Sequence, residues 1–252
     1  MSDTLAAAQV ERHLRGRFGK PYLYEPECES TQLLLLGSGL PEGAVAATDH
    51  QTAGKGRHGR RWVAPASTSV LASVMLHPPA ERQLPELSLV AALAATETIE
   101  AATGLSAQIK WPNDVMLNRR KVAGILSELS DGTVVVGIGI NVNQGHDDLP
   151  ADTTTLAGSL RSLTGQVYGR AEMLASLLFR LEQTYDAWKG GGLAELYGDV
   201  GARDFLRGRR ITVDGQPATA IQILRDGRLE VATGNGHGET RVIESGEVLF
   251  ER

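Results

Sequence analysis

The chain has 252 residues, a formal net charge of −5 at pH 7 and 42% apolar residues. This composition is that of a globular protein with a sizeable core. The negative charge argues against a dedicated nucleic-acid surface, and no apolar run approaches the roughly 18 residues of a membrane span. One cysteine, Cys28, excludes an internal disulfide. Residues 1–10 lack the pattern of a signal peptide, so we expect a cytoplasmic protein.

Apolar periodicity and glycine breaks predict alternating helices and strands in the first half of the chain. We expect helices over residues 5–14 and from Ser30-Thr31 to Gly37, and strands at 21–25, 44–48 and 69–76. A glycine-rich loop occupies residues 54–62. Pro85 opens a long Ala-rich helix that ends at Gly104, because Pro is favoured in a first turn and Gly just past a helix end.

The second half of the chain begins with three apolar strands and ends in a β-rich tail. The strands are expected at 115–117, 121–129 and 134–142, with a hairpin turn at 118–120. A helix over 170–188 carries one apolar face and is stopped by the glycines at 190–192. After Phe205, hairpin-turn signals follow at 214–215, 226–227, 234–236 and 245–246. These patterns predict one domain over residues 1–204 and a small β-barrel-like domain of roughly five strands over 205–252.

Residues 54–61 combine three glycines with one lysine, three arginines and one histidine. Glycines allow close backbone approach, and the cations suit an anion such as a triphosphate. The order is not that of a P-loop. By composition alone, a solvated basic hairpin fits equally well. Trp62 follows directly and either stacks on a purine or anchors the loop to the sheet.

A second polar segment, residues 110–114, reads Lys-Trp-Pro-Asn-Asp between two predicted strands. Proline interrupts strand pairing, so we expect an irregular junction that aims its polar groups at one point. Lys121 begins the next strand and can hold a carboxylate or the charge that builds on a phosphate. The alternative is a strand-end lysine that extends into water, the commoner fate of a single lysine. Because Lys121 occurs together with residues 110–114 and the basic loop, we favour a lysine that faces a pocket.

Four segments in order carry a family resemblance. They are Glu-Ser-Thr-Gln at 29–32, the loop at 51–62, residues 110–114 with Lys-Val-Ala-Gly-Ile-Leu at 121–126, and Gly-Ile-Gly-Ile-Asn-Val-Asn at 137–143. With them the chain resembles a biotin–protein ligase. The resemblance implies an α/β (α+β) fold: a catalytic domain like that of class II synthetases, with a central mixed sheet and helices mainly on one face. It also implies an SH3-like β-barrel at the C-terminus.

The resemblance further implies a two-step reaction. The carboxylate of biotin attacks the α-phosphate of ATP, usually with Mg²⁺, and gives biotinyl-5′-adenylate and pyrophosphate. A lysine of a biotin carboxyl carrier protein, from acetyl-CoA carboxylase or a related carboxylase, then attacks the adenylate. The metal ligands are not indicated, and the family includes monomers and homodimers.

Motif position assigns catalytic roles to three residues. Lys121 would contact the biotin carboxylate and the reacting phosphate, Asp114 would help receive the incoming lysine, and Arg57 would cover the adenylate. Ligand binding extends to further positions in the same segments. These are Ser30, Thr31, Gln32 and Gln51 on the biotin side, Lys55 and Gly56 in the covering loop, Trp62 beside adenine, Gly124 after Lys121, and Asn113 and Asn141 on the nucleotide side.

Two positions depart from the usual family pattern. Lys55 replaces an arginine and keeps the charge without the planar fork that binds phosphate bidentately. Gln32 replaces an asparagine with a longer side chain. About 25 residues precede the first motif strand, fewer than a three-helix DNA-binding unit needs. The chain thus resembles the monofunctional form, which is not expected to bind DNA.

Three other functions remain open from the sequence. A lipoate–protein ligase would need a pocket for an aliphatic chain and has no obvious use for the basic loop. A non-enzymatic biotin-responsive regulator would need the DNA-binding unit. A nucleic-acid binder built on the basic loop would bind with a steep dependence on salt.

Overall fold

The computed structural model describes residues 3–130, 132–150, 155–233, 239–246 and 248–250. Its larger sheet has seven strands in the order β1-β2-β3-β7-β6-β5-β4. The strands are β1 (Tyr22–Cys28), β2 (Val45–Gln51), β3 (Ser69–Leu76), β4 (Ala107–Lys110), β5 (Asp114–Leu117), β6 (Arg120–Ser130) and β7 (Thr133–Asn141). The first pair, β1 and β2, is parallel and the other pairs are antiparallel. The predicted central mixed sheet is therefore confirmed.

Six α-helices accompany this sheet in the described part of the chain. They are α1 (Ala7–Val10), α2 (Thr31–Leu35), α3 (Leu87–Thr103), α4 (Leu160–Thr164), α5 (Arg170–Gly191) and α6 (Leu193–Ala202). The long helix α3 ends, as expected, at Gly104, which has φ 70° and donates its N–H to the Glu100 carbonyl. It packs against α5, and both cover the same face of the sheet; α1 lies beside α5 and β1, and α6 packs on α3 and α5. None of the described helices is long and apolar enough to cross a bilayer.

The opposite face of the large sheet is only partly covered, by α2. Leu35 of α2 packs there with Met75 and Val135 in a small apolar cluster. Because side chains alternate along a strand, Gly137 and Gly139 lie on this same face, further along β7 from Val135. Because they lack side chains, Gln32 of α2 can lie close over Gly137 and the indole of Trp62 close over Gly139. The functional cavity lies over this part of the face.

A second, antiparallel sheet of five strands follows in the C-terminal part. Its strands are β8 (Arg210–Val213), β9 (Gln216–Ile223), β10 (Leu229–Thr233), β11 (Thr240–Ile243) and β12 (Val248–Phe250), in the order β11-β10-β9-β8-β12. Asp214 and Gly215 have φ of 49° and 80° in the tight turn between β8 and β9, as their sequence predicted. The separate small β unit is confirmed, and its core is continuous with that of the large sheet.

Several details of the structure differ from the sequence prediction. The helix expected over 5–14 is an α-helix only over Ala7–Val10, followed by a 3-10 turn over Glu11–His13. Helix α5 does not stop at 188 but continues to Gly191, because Tyr185 and Trp188 are buried against the core and Gly192, with φ 71°, supplies the cap. The turn signal at 245–246 does not form a hairpin, since β11 and β12 lie at opposite edges of their sheet. The signal at 234–236 lies outside the described residues. The short helices α4 and α6 were not predicted, and β4, the strand before the polar segment, was expected without bounds.

Candidate active site

A cavity of about 1370 Å³, including its open mouth, lies on the face of the large sheet that α2 leaves uncovered. Every residue that the sequence analysis placed in the site contributes to its lining. They are Ser30, Thr31, Gln32, Gln51, Lys55, Gly56, Arg57, Trp62, Asn113, Asp114, Lys121, Gly124 and Asn141. Four motif segments that are distant along the chain therefore meet in one space.

One end of the cavity is uncharged and polar. The N–H of Thr31 donates to Gln51 Oε1 at 2.9 Å, and its hydroxyl lies 2.7 Å from Ser73 Oγ. Gln32 Nε2 donates to the carbonyls of Leu126 and Val135, at 3.0 and 3.4 Å. Both N–H bonds of this amide are thus used by the sheet, so a ligand here meets its oxygen. The longer side chain that replaces the usual asparagine is part of the cavity floor.

The middle of the cavity is shaped by Trp62, whose indole lies against two glycines of the sheet. A Cβ added to Gly139 would stand 2.7 Å from the ring, and one added to Gly124 would stand 2.9 Å from it. Real Cβ contacts are longer, so the ring can lie this close only because both positions lack a side chain. The indole Nε1 is buried and has no hydrogen-bond partner among the described residues.

Asp114 lies between two lysines at the start of β5. Its carboxylate is 2.5 Å from Lys121 Nζ and 3.6 Å from Lys110 Nζ. The register places Lys110 directly opposite Asp114 and brings Lys121 in from the next strand. The cluster carries two positive charges and one negative charge, so its net charge favours an anionic ligand.

Burial and neighbouring charges shift the protonation of this cluster in opposite directions. Burial raises the pKa of the Asp114 carboxyl, but the ammonium groups of Lys121 and Lys110 outweigh it and hold that pKa below its usual value of 3.8. Burial lowers the pKa of Lys110 below 10.5, and the Asp114 charge opposes this only in part. Asp114 is therefore ionised at neutral pH and a weak proton acceptor.

The basic loop is a closed hairpin over the mouth of the cavity. Its two arms are joined by backbone hydrogen bonds from Trp62 N to Gly54 O and from Gly56 N to Arg60 O. Lys55 Nζ lies 3.1 Å from Glu128 of β6, and Arg57 Nη1 donates to Asn113 Oδ1 at 3.3 Å. The ammonium of Lys55 therefore points at the rim of the sheet, whereas the guanidinium of Arg57 reaches across the opening.

The C-terminal sheet forms one wall of the same cavity. Gly246, Val248 and Leu249 line it, and Lys110 Nζ lies 5.9 Å from the centre of the Phe250 ring. The buried Trp111 donates its indole N–H to the Gly227 carbonyl at 2.8 Å. These contacts tie the polar segment at 110–114 to the second sheet, which the sequence did not indicate.

Several lining or supporting residues were missed from the sequence. Glu128 gave no local signal, because its partner Lys55 is 73 residues away. Ser73 lies in an apolar strand and looked like an ordinary core position. Gly137 and Gly139 did carry a signal, since glycines at every second position of a strand indicate a close approach to one face.

The described residues offer no evident metal site. They contain no group of three or more His, Cys, Asp or Glu side chains that could hold a metal ion. Asp114 is the one carboxylate among the described residues that line the cavity, and two lysines already neutralise it. The described side chains that line the cavity therefore do not fit a resident Mg²⁺.

Comparison with known proteins identifies the family that the sequence motifs resemble. A family model described as the biotin/lipoate A/B protein ligase family matches residues 27–144. The biotin–[acetyl-CoA-carboxylase] ligase of Mycobacterium tuberculosis is 35% identical over 226 residues, which are 84% of this chain and 80% of that protein. The bifunctional ligase/repressor BirA of Bacillus subtilis is 37% identical over 176 residues, 66% of this chain and 54% of that protein. The match thus spans about half the length of the Bacillus relatives.

Solved structures agree with this assignment over nearly the whole chain. The biotin protein ligase from Aquifex aeolicus, in complex with biotin and ATP, superposes with a TM-score of 0.81 and 30% identity. The match covers 91% of this chain and 98% of that one. The chain therefore belongs to the biotin–protein ligases of the biotin/lipoate A/B protein ligase family.

Proposed function

We propose that the protein joins biotin to ATP to form biotinyl-5′-AMP and then transfers the biotin to a lysine of a biotin carboxyl carrier protein. The observation that carries this proposal is a single cavity with two chemically different ends. One end is neutral and polar, at Thr31 and Gln51, and the other carries the cations Lys110 and Lys121. The Aquifex relative of the same fold has been solved with biotin and ATP.

In the first step, an oxygen of the biotin carboxylate forms a bond to the α-phosphorus of ATP, and the bond to pyrophosphate breaks. Two anions must approach each other, so the protein has to neutralise charge where they meet. We assign this task to Lys121, whose ammonium lies between Asp114 and the Trp62 ring, with Lys110 behind it. Ser30, Thr31 and Gln51 would bind the biotin head group, with Gln32 and Gly124 in the wall around it. Asn113 and Asn141 would bind on the nucleotide side.

In the second step, the amine of the acceptor lysine attacks the acyl carbon of the adenylate and the bond from that carbon to the AMP phosphate oxygen breaks. The nitrogen passes its proton to water or to the phosphate of the departing AMP. Asp114 is poorly suited to take that proton, because two ammonium groups hold its pKa below the usual value. We propose instead that Asp114 orients Lys110 and Lys121 in both steps. Its ion pairs are the physical reason that two like charges can stay this close.

The loop at 54–62 would cover the adenylate between the two steps. A mixed anhydride is hydrolysed by water and attacked by stray amines, so a lid protects it. Arg57 reaches Asn113 across the mouth and is the residue we expect to keep it closed, with Gly56 allowing close backbone approach. Trp62 would remain a wall shared by both substrates.

The remaining parts of the proposal concern the acceptor protein, the location, the domains and the metal ion. We propose the carrier subunit of acetyl-CoA carboxylase or a related carboxylase as the acceptor, and the cytoplasm as the location. The catalytic unit would span residues 1–204 and the SH3-like unit 205–252, acting as a monomer or homodimer without DNA. Mg²⁺ would arrive bound to the phosphates of ATP, which need few protein ligands.

Pyrophosphate–ATP exchange tests the first step directly. We expect exchange that depends on biotin and is not supported by lipoate, the substrate of the alternative function. Lys121→Ala should abolish exchange, whereas the matched control Lys20→Ala, at an exposed lysine remote from the cavity, should leave it intact. Exchange with lipoate alone would favour the alternative, and no exchange with either acid would contradict both.

A further inference from the structure

The cavity has a direction, which the register of the sheet defines. Gly137, Gly139 and Asn141 follow one another on the same face of β7. At about 3.3 Å per residue, the first and last are roughly 13 Å apart. Gln32 lies over Gly137 and Trp62 over Gly139. Asn141 therefore stands at the end of the cavity that is opposite the neutral polar pocket.

Asn141 is held in one orientation by its neighbours. Its Nδ2 donates to the Gly158 carbonyl at 3.0 Å, and its Oδ1 accepts from Gln144 Nε2 at 2.9 Å. An amide can rotate by half a turn, which exchanges its donor and its acceptor. Both bonds oppose this, because after a half-turn two N–H groups would face each other at Gln144 and two oxygens would face each other at Gly158. Asn141 lines the cavity, so the second N–H of its amide can donate to an acceptor oxygen of a ligand there.

Gln144 lies behind Asn141 and does not line the cavity itself. It is 1% exposed, and its Nε2 also donates to Ser69 Oγ at 2.7 Å. The carbonyl of the same Ser69 accepts a hydrogen bond from the fully buried Arg170 at 3.0 Å. The Oε1 atom of Gln144 has no hydrogen-bond partner among the described residues. Both N–H groups of the Gln144 amide are used, one by Ser69 and one by Asn141.

The same arrangement fixes the wall beside Lys121. Gly158, which accepts from Asn141, donates its own N–H to the Lys121 carbonyl at 2.9 Å, and Lys121 N donates to Leu156 O at 2.8 Å. Ser159 Oγ donates to the Gln144 carbonyl at 2.7 Å. The segment at 156–159 is thus bound on one side by the strand of Lys121 and on the other by Gln144 and Asn141.

We propose that Gln144 is a positioning residue for the nucleotide half of the cavity. It sets the Asn141 amide so that a donor faces the ligand, and it supports the wall next to Lys121. The inference rests on the proposed function in one respect: the cavity end remote from the neutral pocket is the one that takes ATP. Gln144 then governs the affinity for ATP and has little influence on the affinity for biotin.

Calorimetry on the full chain tests this with Gln144→Met, which keeps length and volume but removes both donors. The dissociation constant for ATP should rise about tenfold, the usual effect of losing one well-placed hydrogen bond, and that for biotin should stay within about twofold. The KM for ATP in pyrophosphate exchange should rise by the same factor. Gln166→Met, the same change at an exposed residue outside the cavity lining, is the matched control and should behave as wild type.

Gln144→Glu decides the matter if the methionine variant fails to fold. It keeps the shape, but a carboxylate only accepts hydrogen bonds, so the donor to Asn141 Oδ1 is replaced by a repelling oxygen. If the Asn141 amide turned to avoid this, its oxygen would face the Gly158 carbonyl instead. We expect the same selective loss of ATP affinity. Unchanged ATP affinity in a folded variant, or equal losses for ATP and biotin, would overturn the inference. A wild-type protein that binds ATP but shows no biotin-dependent exchange would instead overturn the proposed function, while the ATP affinities of the variants would still judge Gln144.

Discussion

Gly139→Ala is the substitution whose effect the structure predicts most directly. The new Cβ would stand 2.7 Å from Cε2 and Cζ2 of Trp62, whereas ordinary contacts begin at 3.4 Å. Restoring an ordinary contact therefore takes a movement of the ring or the strand by about 0.7 Å, the difference between these two distances. Gly139 is not among the residues with positive φ, so alanine causes no backbone strain there. The predicted loss therefore comes only from the close contact between the new Cβ and the Trp62 ring.

The size of the effect should differ between stability and activity. Trp62 is partly exposed, so it can move outward, and we expect a loss of about 1 kcal/mol in the free energy of unfolding, at the lower end of the cost of overpacking. Activity should suffer more, because a displacement of about 1 Å in an active site can cost on the order of 100-fold. We expect kcat/KM for biotin to fall on the order of 10- to 100-fold.

The assay is pyrophosphate exchange at varied biotin, with urea unfolding on the same preparations. Gly198→Ala is the matched control: it lies in α6, a Cβ there meets nothing within 4 Å, and it should raise stability by up to about 1 kcal/mol with full activity. Gly137→Ala should be milder than Gly139→Ala, since its Cβ would be 3.1 Å from Gln32, against 2.7 Å from Trp62 at Gly139, and needs a smaller displacement. A folded Gly139→Ala protein with wild-type kcat/KM would refute the role given to Trp62.

Two further predictions concern the loop and the charge cluster. Arg57→Gly should release adenylate and raise the biotinylation of bystander lysines; unchanged selectivity would argue against the lid. Asp114→Asn should lower the free energy of unfolding by about 3 kcal/mol, because two lysines lose their partner. Since the pKa of Asp114 lies below 3.8, this stabilisation is complete above that pH and disappears only as the pH falls through the lowered pKa. In urea unfolding, the difference between wild type and Asp114→Asn should thus be constant from about pH 5 to 8 and shrink below about pH 4; a difference that shrinks near neutral pH would contradict the ion pairs.

Local patterns predicted the elements whose cause is local. The strand at 69–76 and the end of the long helix at Gly104 were found because apolar runs and cap residues lie within one window of sequence. The turn between β5 and β6 was found in the same way, and Asn118 and Arg119 have the positive φ that such a turn needs. The site residues could be named because each motif is a short continuous segment.

Contacts between distant segments could not be predicted in this way. Nothing near Gln144 indicates its bond to Ser69, 75 residues earlier, and nothing near Lys55 indicates Glu128, 73 residues later. The buried Arg170 pairs with Asp49 at 2.9 Å and with Asp3, which lie more than 100 residues earlier in the chain. The Ser245-Gly246 signal failed for a related reason, because the choice of strand partner is set by the whole sheet.

The central claim, that one cavity makes an adenylate and passes it to a lysine, is tested most directly by a two-stage single turnover. The protein is first incubated with biotin and ATP, and free nucleotide is removed. A biotin carboxyl carrier domain is then added, and its mass is measured. We predict that the carrier gains one biotin on a lysine without further ATP, in an amount equal to the protein-bound adenylate. A carrier that stays unlabelled although adenylate is bound, or that is labelled only when ATP is supplied again, would contradict the account.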